Sequence, residues 1–133
     1  AEKARMSTVF LQNSVRFYAT ARHRVRQRLA AASLQLATRG DAEGKRIIFF
    51  GAGEVAEIAY VCLQETDLTL VGVVGEGRTR FFGLPVQPSS ELHVSSLGAT
   101  PFDLVVVASF EDLARVGLRL DSLGVPKEKI FWL

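Results

Sequence analysis

Residues 45–56, Lys45-Arg46-Ile47-Ile48-Phe49-Phe50-Gly51-Ala52-Gly53-Glu54-Val55-Ala56, limit the possible fold more than any other stretch of the chain. An apolar run of strand length stops at Gly-x-Gly-x-x-Ala, and an apolar-periodic segment of helix length follows. This is the strand, tight turn and helix start that brings a backbone close to a phosphate. Gly51 allows the bend, Gly53 leaves room for a guest, and Ala56 lets the helix lie near the strand. The free N–H groups of the helix start then face the anion. Gly51, Ala52, Gly53, Glu54 and Val55 are therefore candidate ligand contacts. The same turn also serves as a packing device that holds no ligand.

Strand and helix patterns keep alternating after this motif. A helix over residues 54–64 turns Val55, Ile58, Ala59 and Cys62 inward, and residues 70–74 form a continuously apolar second strand. Such a run suits a parallel strand covered on both faces. Residues 75–80 read as a polar loop. Residues 83–86 read as a short third strand, which Pro85 places at an edge. Ser89 or Ser90 caps a brief helix reaching Leu97, with His93 on it, and residues 103–108 form the fourth strand. Ser109 and Asp112 have capping-box spacing for a helix that Gly124 ends, and residues 129–133 supply a fifth strand. The expectation is an α/β fold: a five-stranded parallel sheet in the order 3-2-1-4-5, with right-handed crossovers, preceded by a long N-terminal helix.

In such a sheet a ligand sits at the carboxyl ends of strands one and four, where the winding reverses. Loops 51–55, 75–80 and 109–111 reach that crevice. Glu76, 25 residues past Gly51, is the candidate acceptor for ribose hydroxyls or an ordinary loop acid. Arg78 and Arg80 are placed for a phosphate or stand as solvated loop charges. Ser109 is the candidate from the third loop. Glu54 would repel a phosphate and must point away from an occupied site.

Ahead of the α/β pattern, residues 2–38 contain neither Pro nor Gly and read as one helix. Leu11, Val15, Tyr18, Arg22, Val25, Leu29, Ala32 and Leu36 have coiled-coil spacing, and Phe10, Phe17 and Ala21 widen the stripe. A lone helix of this length cannot bury that stripe by itself. It is expected to dimerise or to meet an upstream domain; the other reading folds it back on the α/β unit. Residues 40–44 read as a helix stop and linker, so the expected division is 1–39 and 45–133. Because the chain opens at Ala1 in mid-helix, it is expected to be a fragment. Residues 15–40 also have the Arg- and Ala-rich, acid-poor composition of a presequence, but one would lie at a true amino terminus.

Charge is divided unevenly. Residues 1–46 carry ten Lys or Arg against three Asp or Glu; residues 47–133 carry six against eleven. A basic helix on an acidic unit suits contact with a polyanion, or a solvated helix face. No apolar run approaches the roughly 20 residues of a membrane-spanning helix, so no membrane partner is expected. The single cysteine, Cys62, reads as a buried thiol, which excludes a disulfide framework and points to the cytoplasm.

Catalytic constellations do not emerge. Tyr18 is followed four residues later by Arg22 and Tyr60 by Gln64, where a Tyr-x-x-x-Lys dehydrogenase or epimerase needs Lys. His23 and His93 have no carboxylate or cysteine at metal-ligand spacing, so neither catalytic nor metal residues are assigned. Binding without turnover is the expectation.

Residues 45–133 resemble the Rossmann-like domains that begin sugar O-acyltransferases and polysaccharide-biosynthesis dehydratases. The likeness lies in residues 47–57, Val71-Gly72-Val73-Val74, Gly83-Leu84-Pro85-Val86 and residues 102–108. It implies binding of NAD(P) or a nucleotide-sugar. Where that group has an acidic pair after its second strand, this chain has Gly75-Glu76-Gly77. Ala1-Glu2-Lys3-Ala4-Arg5-Met6-Ser7, with Phe10-Leu11 beyond it, resembles the stretch after the wing in MarR-type winged-helix regulators associated with exopolysaccharide genes. That likeness covers about a dozen residues, and the group's acidic Glu-Tyr-Glu-like continuation is replaced here by Arg16-Phe17-Tyr18-Ala19. It implies a dimer helix below a DNA-reading domain that lies upstream. Together the resemblances imply the ligand-sensing, dimerising part of a transcription regulator that touches DNA only through that domain. A non-catalytic cofactor-binding module of a nucleotide-sugar-modifying enzyme is the alternative, and a structural dimerisation domain is a third.

Overall fold

The computed structural model describes the backbone of residues 2–39 and 45–133 and the side chains of residues 16–39 and 45–133. Helix α1 (Glu2–Arg39) precedes β1 (Arg46–Phe50), α2 (Glu54–Leu63) and β2 (Thr69–Val74). A short hairpin follows, β3 (Arg80–Phe81) and β4 (Leu84–Gln87), then a 3₁₀ turn at Ser89–Glu91. A second small hairpin, β5 (Ser96–Leu97) and β6 (Thr100–Pro101), leads to β7 (Leu104–Val107). Helix α3 (Leu113–Ser122), a 3₁₀ turn at Lys127–Lys129 and β8 (Ile130–Trp132) complete the order.

The main sheet has six strands in the order β3-β4-β2-β1-β7-β8, so the expected five-stranded parallel sheet in the order 3-2-1-4-5 is corrected by an added antiparallel edge strand, β3. All its pairings are parallel except the β3–β4 hairpin at the edge. That hairpin escaped sequence reading because its two-residue turn consists of Phe82 and Gly83, both at positive φ (46° and 85°). Such a turn is usually signalled by Asn-Gly or Asp-Gly, and Phe gives no hint of it. Arg80 therefore belongs to a strand and not to the loop.

Both sheet faces are covered, which explains the uninterrupted apolar strands. Ile47, Phe49, Leu104 and Val106 face α1 and α2, whereas Ile48, Val105 and Val107 face α3 and the β5–β6 hairpin. A Cβ on Gly72 would meet Leu97 Cδ2 at 2.7 Å, so glycine lets the hairpin close on β2. The helix expected from Ser89 to Leu97 is corrected to one 3₁₀ turn and this hairpin. Leu92 and Leu97 are both buried and bridged to each other. His93 is exposed on the irregular segment between them.

Helix α1 is continuous, but its stripe is not free. Ala21, Val25, Leu29, Ala32 and Leu36 are buried, and the last four share one core with Ile47, Phe49, Ala59 and Phe131. This corrects the expectation that these positions serve a partner helix: the chain's own sheet covers them. The stripe's Tyr18 and Arg22 are exposed, and Phe17 lies edge-on to Tyr18 at 5.7 Å. The side chains of Leu11 and Val15, and the linker at residues 40–44, lie outside the described residues.

Arginines of α1 reinforce the docking. Arg24 and Arg28 donate to the main-chain carbonyls of Leu133 (3.0 Å) and Trp132 (2.9 Å). Their guanidinium groups also lie over the rings of Phe110 (4.7 Å) and Phe131 (4.4 Å). Arg26 grips Glu65 beyond α2 and holds its carboxyl below the ordinary carboxylate range. Much of the basic surface in this half of the helix is thus spent inside the molecule. Cys62 is buried with its thiol 3.9 Å from the Arg22 carbonyl, and burial pushes its pKa up. It is an inert packing residue.

Candidate functional site

Register brings the ends of three central strands level. Phe50 of β1 lies beside Val74 of β2 and Val107 of β7. The chain leaves all three in the same direction, so Gly51, Gly75 and Ser109 meet at one end of the sheet. Beta-1 is where the winding reverses, with β2 on one side and β7 on the other. A cleft of about 580 Å³ opens there, within the usual range for small-molecule sites.

Phe50, Gly51, Val74 and Gly75 form the sheet end of this cleft, and Glu76 and Ser89 lie beside them. Across from these stand Ser109, Glu111 and Asp112 of the β7–α3 connection and Arg115, Val116 and Arg119 of α3. Of the residues singled out from sequence, Gly51, Glu76 and Ser109 line the cleft. Ala52, Gly53, Glu54, Val55 and Arg78 do not.

The glycine turn shows why the two groups separate. Gly51 has φ +121°, and its amide donates to the Val74 carbonyl at 2.8 Å, so this N–H is already engaged. A Cβ there would stand 3.0 Å from the Ala108 carbonyl oxygen. Gly53 caps α2 with open space where a Cβ would be. Glu54 and Glu57 occupy the first turn of α2, where carboxylates complement the helix dipole. Arg78 reaches across the turn to the Ala52 carbonyl (3.1 Å) and Glu57 (2.8 Å), with its guanidinium over Phe81. It straps the β2–β3 loop to the turn and does not point into the cleft as a phosphate ligand.

Ser109 does not build the expected capping box. Its hydroxyl bonds the main chain of Glu111 at 3.2 Å, and Asp112 is the N-cap of α3 in the left-handed conformation (φ 52°), without a side-chain cap bond. Aspartate is one of the few non-glycine residues that adopts this region as a single residue. The helix ends as expected: Gly124, at φ +79°, donates to Asp121 and Val125 donates to Leu120, a Schellman pair.

Arg115 and Arg119 were missed by sequence reasoning. Four residues apart, they share one face of α3, and that spacing after the fourth strand was the available signal. Arg119 donates to the Ser89 hydroxyl at 3.1 Å, while Arg115 has no partner among the described residues. Neither is among the ion pairs of the described residues. No group of three or more His, Cys, Asp or Glu among these residues is arranged to hold a metal, and no helix among them is long and apolar enough to cross a membrane. No protein-family model matches the chain, and no curated protein does.

Proposed function

We propose that the cleft at the carboxyl ends of β1 and β7 binds a nucleotide-type ligand, such as NAD(P) or a nucleotide-sugar, without turning it over. The observation that carries this reading is the cleft itself, at the reversal of winding, with Gly51 and Glu76 on its rim and free arginine charge on its wall. The chain serves as the ligand-sensing and dimerising part of a cytoplasmic transcription regulator, and DNA is read by an upstream winged-helix domain. Phe17 and Tyr18, exposed on the part of α1 that precedes its buried stripe, supply an apolar contact for the second subunit.

A route from cleft to helix supports sensing. Phe110 does not itself line the cleft but lies between Ser109 and Glu111, which do, and Arg24 of α1 sits over its ring while bonded to Leu133. A ligand that reshapes this loop changes the seat of α1. For signalling it must favour one seat over another, typically by about 1–3 kcal/mol.

A thermal-stability panel of NAD, NADP, UDP-sugars and coenzyme A tests the reading. A true ligand at about 100 times its Kd adds about 2.7 kcal/mol of stability, whereas no shift across the panel would reject nucleotide binding. The parent gene separates the two larger roles. An upstream helix-turn-helix and wing supports the regulator; a downstream Tyr-x-x-x-Lys or acyltransferase repeat supports a cofactor module of a nucleotide-sugar enzyme.

A further inference from the structure

We infer that the anionic end of the ligand is held by Arg115 and Arg119 on α3, and not by the glycine turn at the start of α2. This rests on the nucleotide reading above and assigns the pyrophosphate subsite within it. At the glycine turn the Gly51 amide is spent on Val74, Arg78 is spent on Ala52 and Glu57, and Glu54 and Glu57 present two carboxylates. An anion there meets repulsion and a cation already engaged.

The wall formed by α3 is the opposite case. Arg115 and Arg119 both line the cleft, one turn apart, and the Ser89 hydroxyl fixes Arg119. Glu76, Glu111 and Asp112 line the same cleft, yet none forms an ion pair with either arginine. Two guanidinium groups that stay unneutralised beside carboxylates suit a guest with both an anionic and a hydroxyl-bearing end. A pyrophosphate bridges the arginines by charge-assisted hydrogen bonds. Glu76, on the sheet end of the cleft, accepts from sugar hydroxyls. Phe50, Val74 and Val116 provide the apolar wall between the two ends.

Calorimetric titration of the full chain with UDP, ADP and inorganic pyrophosphate tests this, using Arg115→Gln and Gly53→Ala. Both variants are expected to fold: Arg115 is exposed and unpartnered among the described residues, and Gly53 has φ −95° with open space around its Cβ position. The expected result is UDP affinity weakened by about tenfold or more in Arg115→Gln and by less than about threefold in Gly53→Ala. Arg115→Gln within about threefold of the unmodified chain, or an equal loss in Gly53→Ala, would overturn the assignment while leaving nucleotide binding intact. If the unmodified chain binds none of the three, the pyrophosphate subsite is overturned, and the stability panel above decides separately whether any nucleotide binds. Pyrophosphate binding as tightly as UDP, and weakened alike in Arg115→Gln, would support the arginine assignment and overturn the sugar recognition given to Glu76.

Discussion

Asp103 shows how one side chain ties two strands together away from the cleft. It precedes β7, and its carboxylate accepts from the Arg46 amide at 2.8 Å and from the Arg46 guanidinium at 3.3 Å. Desolvation pushes its pKa up, but the Arg46 bonds outweigh that and hold it below the usual carboxylate range. A depressed pKa makes the contribution fully present above the unfolded value of about 3.9 and lost as pH falls through the lower folded value. Asp103→Asn should therefore cost about 1–3 kcal/mol at neutral pH, and its deficit against the unmodified chain should shrink in denaturant titrations at progressively lower pH. A deficit unchanged down to the acid transition would show that the charge contributes nothing. Residue-level signals were only partly legible. Gly51 announced its turn, because no other residue adopts φ +121° comfortably. The left-handed Phe82 and Asp112 were invisible, since Phe carries no turn signal and Asp112 also fits the capping-box spacing.

Helix α1 marks where sequence reading divides at the scale of elements. Its stripe was legible residue by residue, because four-three spacing follows from helix geometry alone. What covers it was not legible, since an apolar stripe is equally satisfied by a partner helix and by a sheet face. The structure places Leu29 at 0% exposure in the core shared with Phe49 and Phe131. Leu29→Ala should thus destabilise the chain by about 2–5 kcal/mol, by the same amount at every protein concentration. Chemical denaturation over a hundredfold dilution series checks this; a cost that grows on dilution would mean that Leu29 serves a subunit interface. The β5–β6 hairpin was missed for a related reason. Its strands are two residues each, too short for a period of two to differ from a helical pattern.

At the scale of the molecule, the parallel sheet was legible because buried strands between helices leave a strong apolar record. The position of the candidate site followed from the same logic, but its lining did not. A motif read along the chain directs attention to residues 51–55, while the cleft takes only Gly51 from that turn and draws its cations from α3, more than sixty residues later. Contacts made through topology leave no local trace.

Amide chemical-shift mapping tests the central claim most directly, with backbone resonances followed as UDP, a UDP-sugar or NAD(P) is added. The account predicts that at least one of these shifts Gly51, Gly75, Glu76, Ser109 and Arg115 together, with a smaller response at Arg24 through Phe110. Unmoved resonances at those positions under saturating amounts of every compound would contradict it.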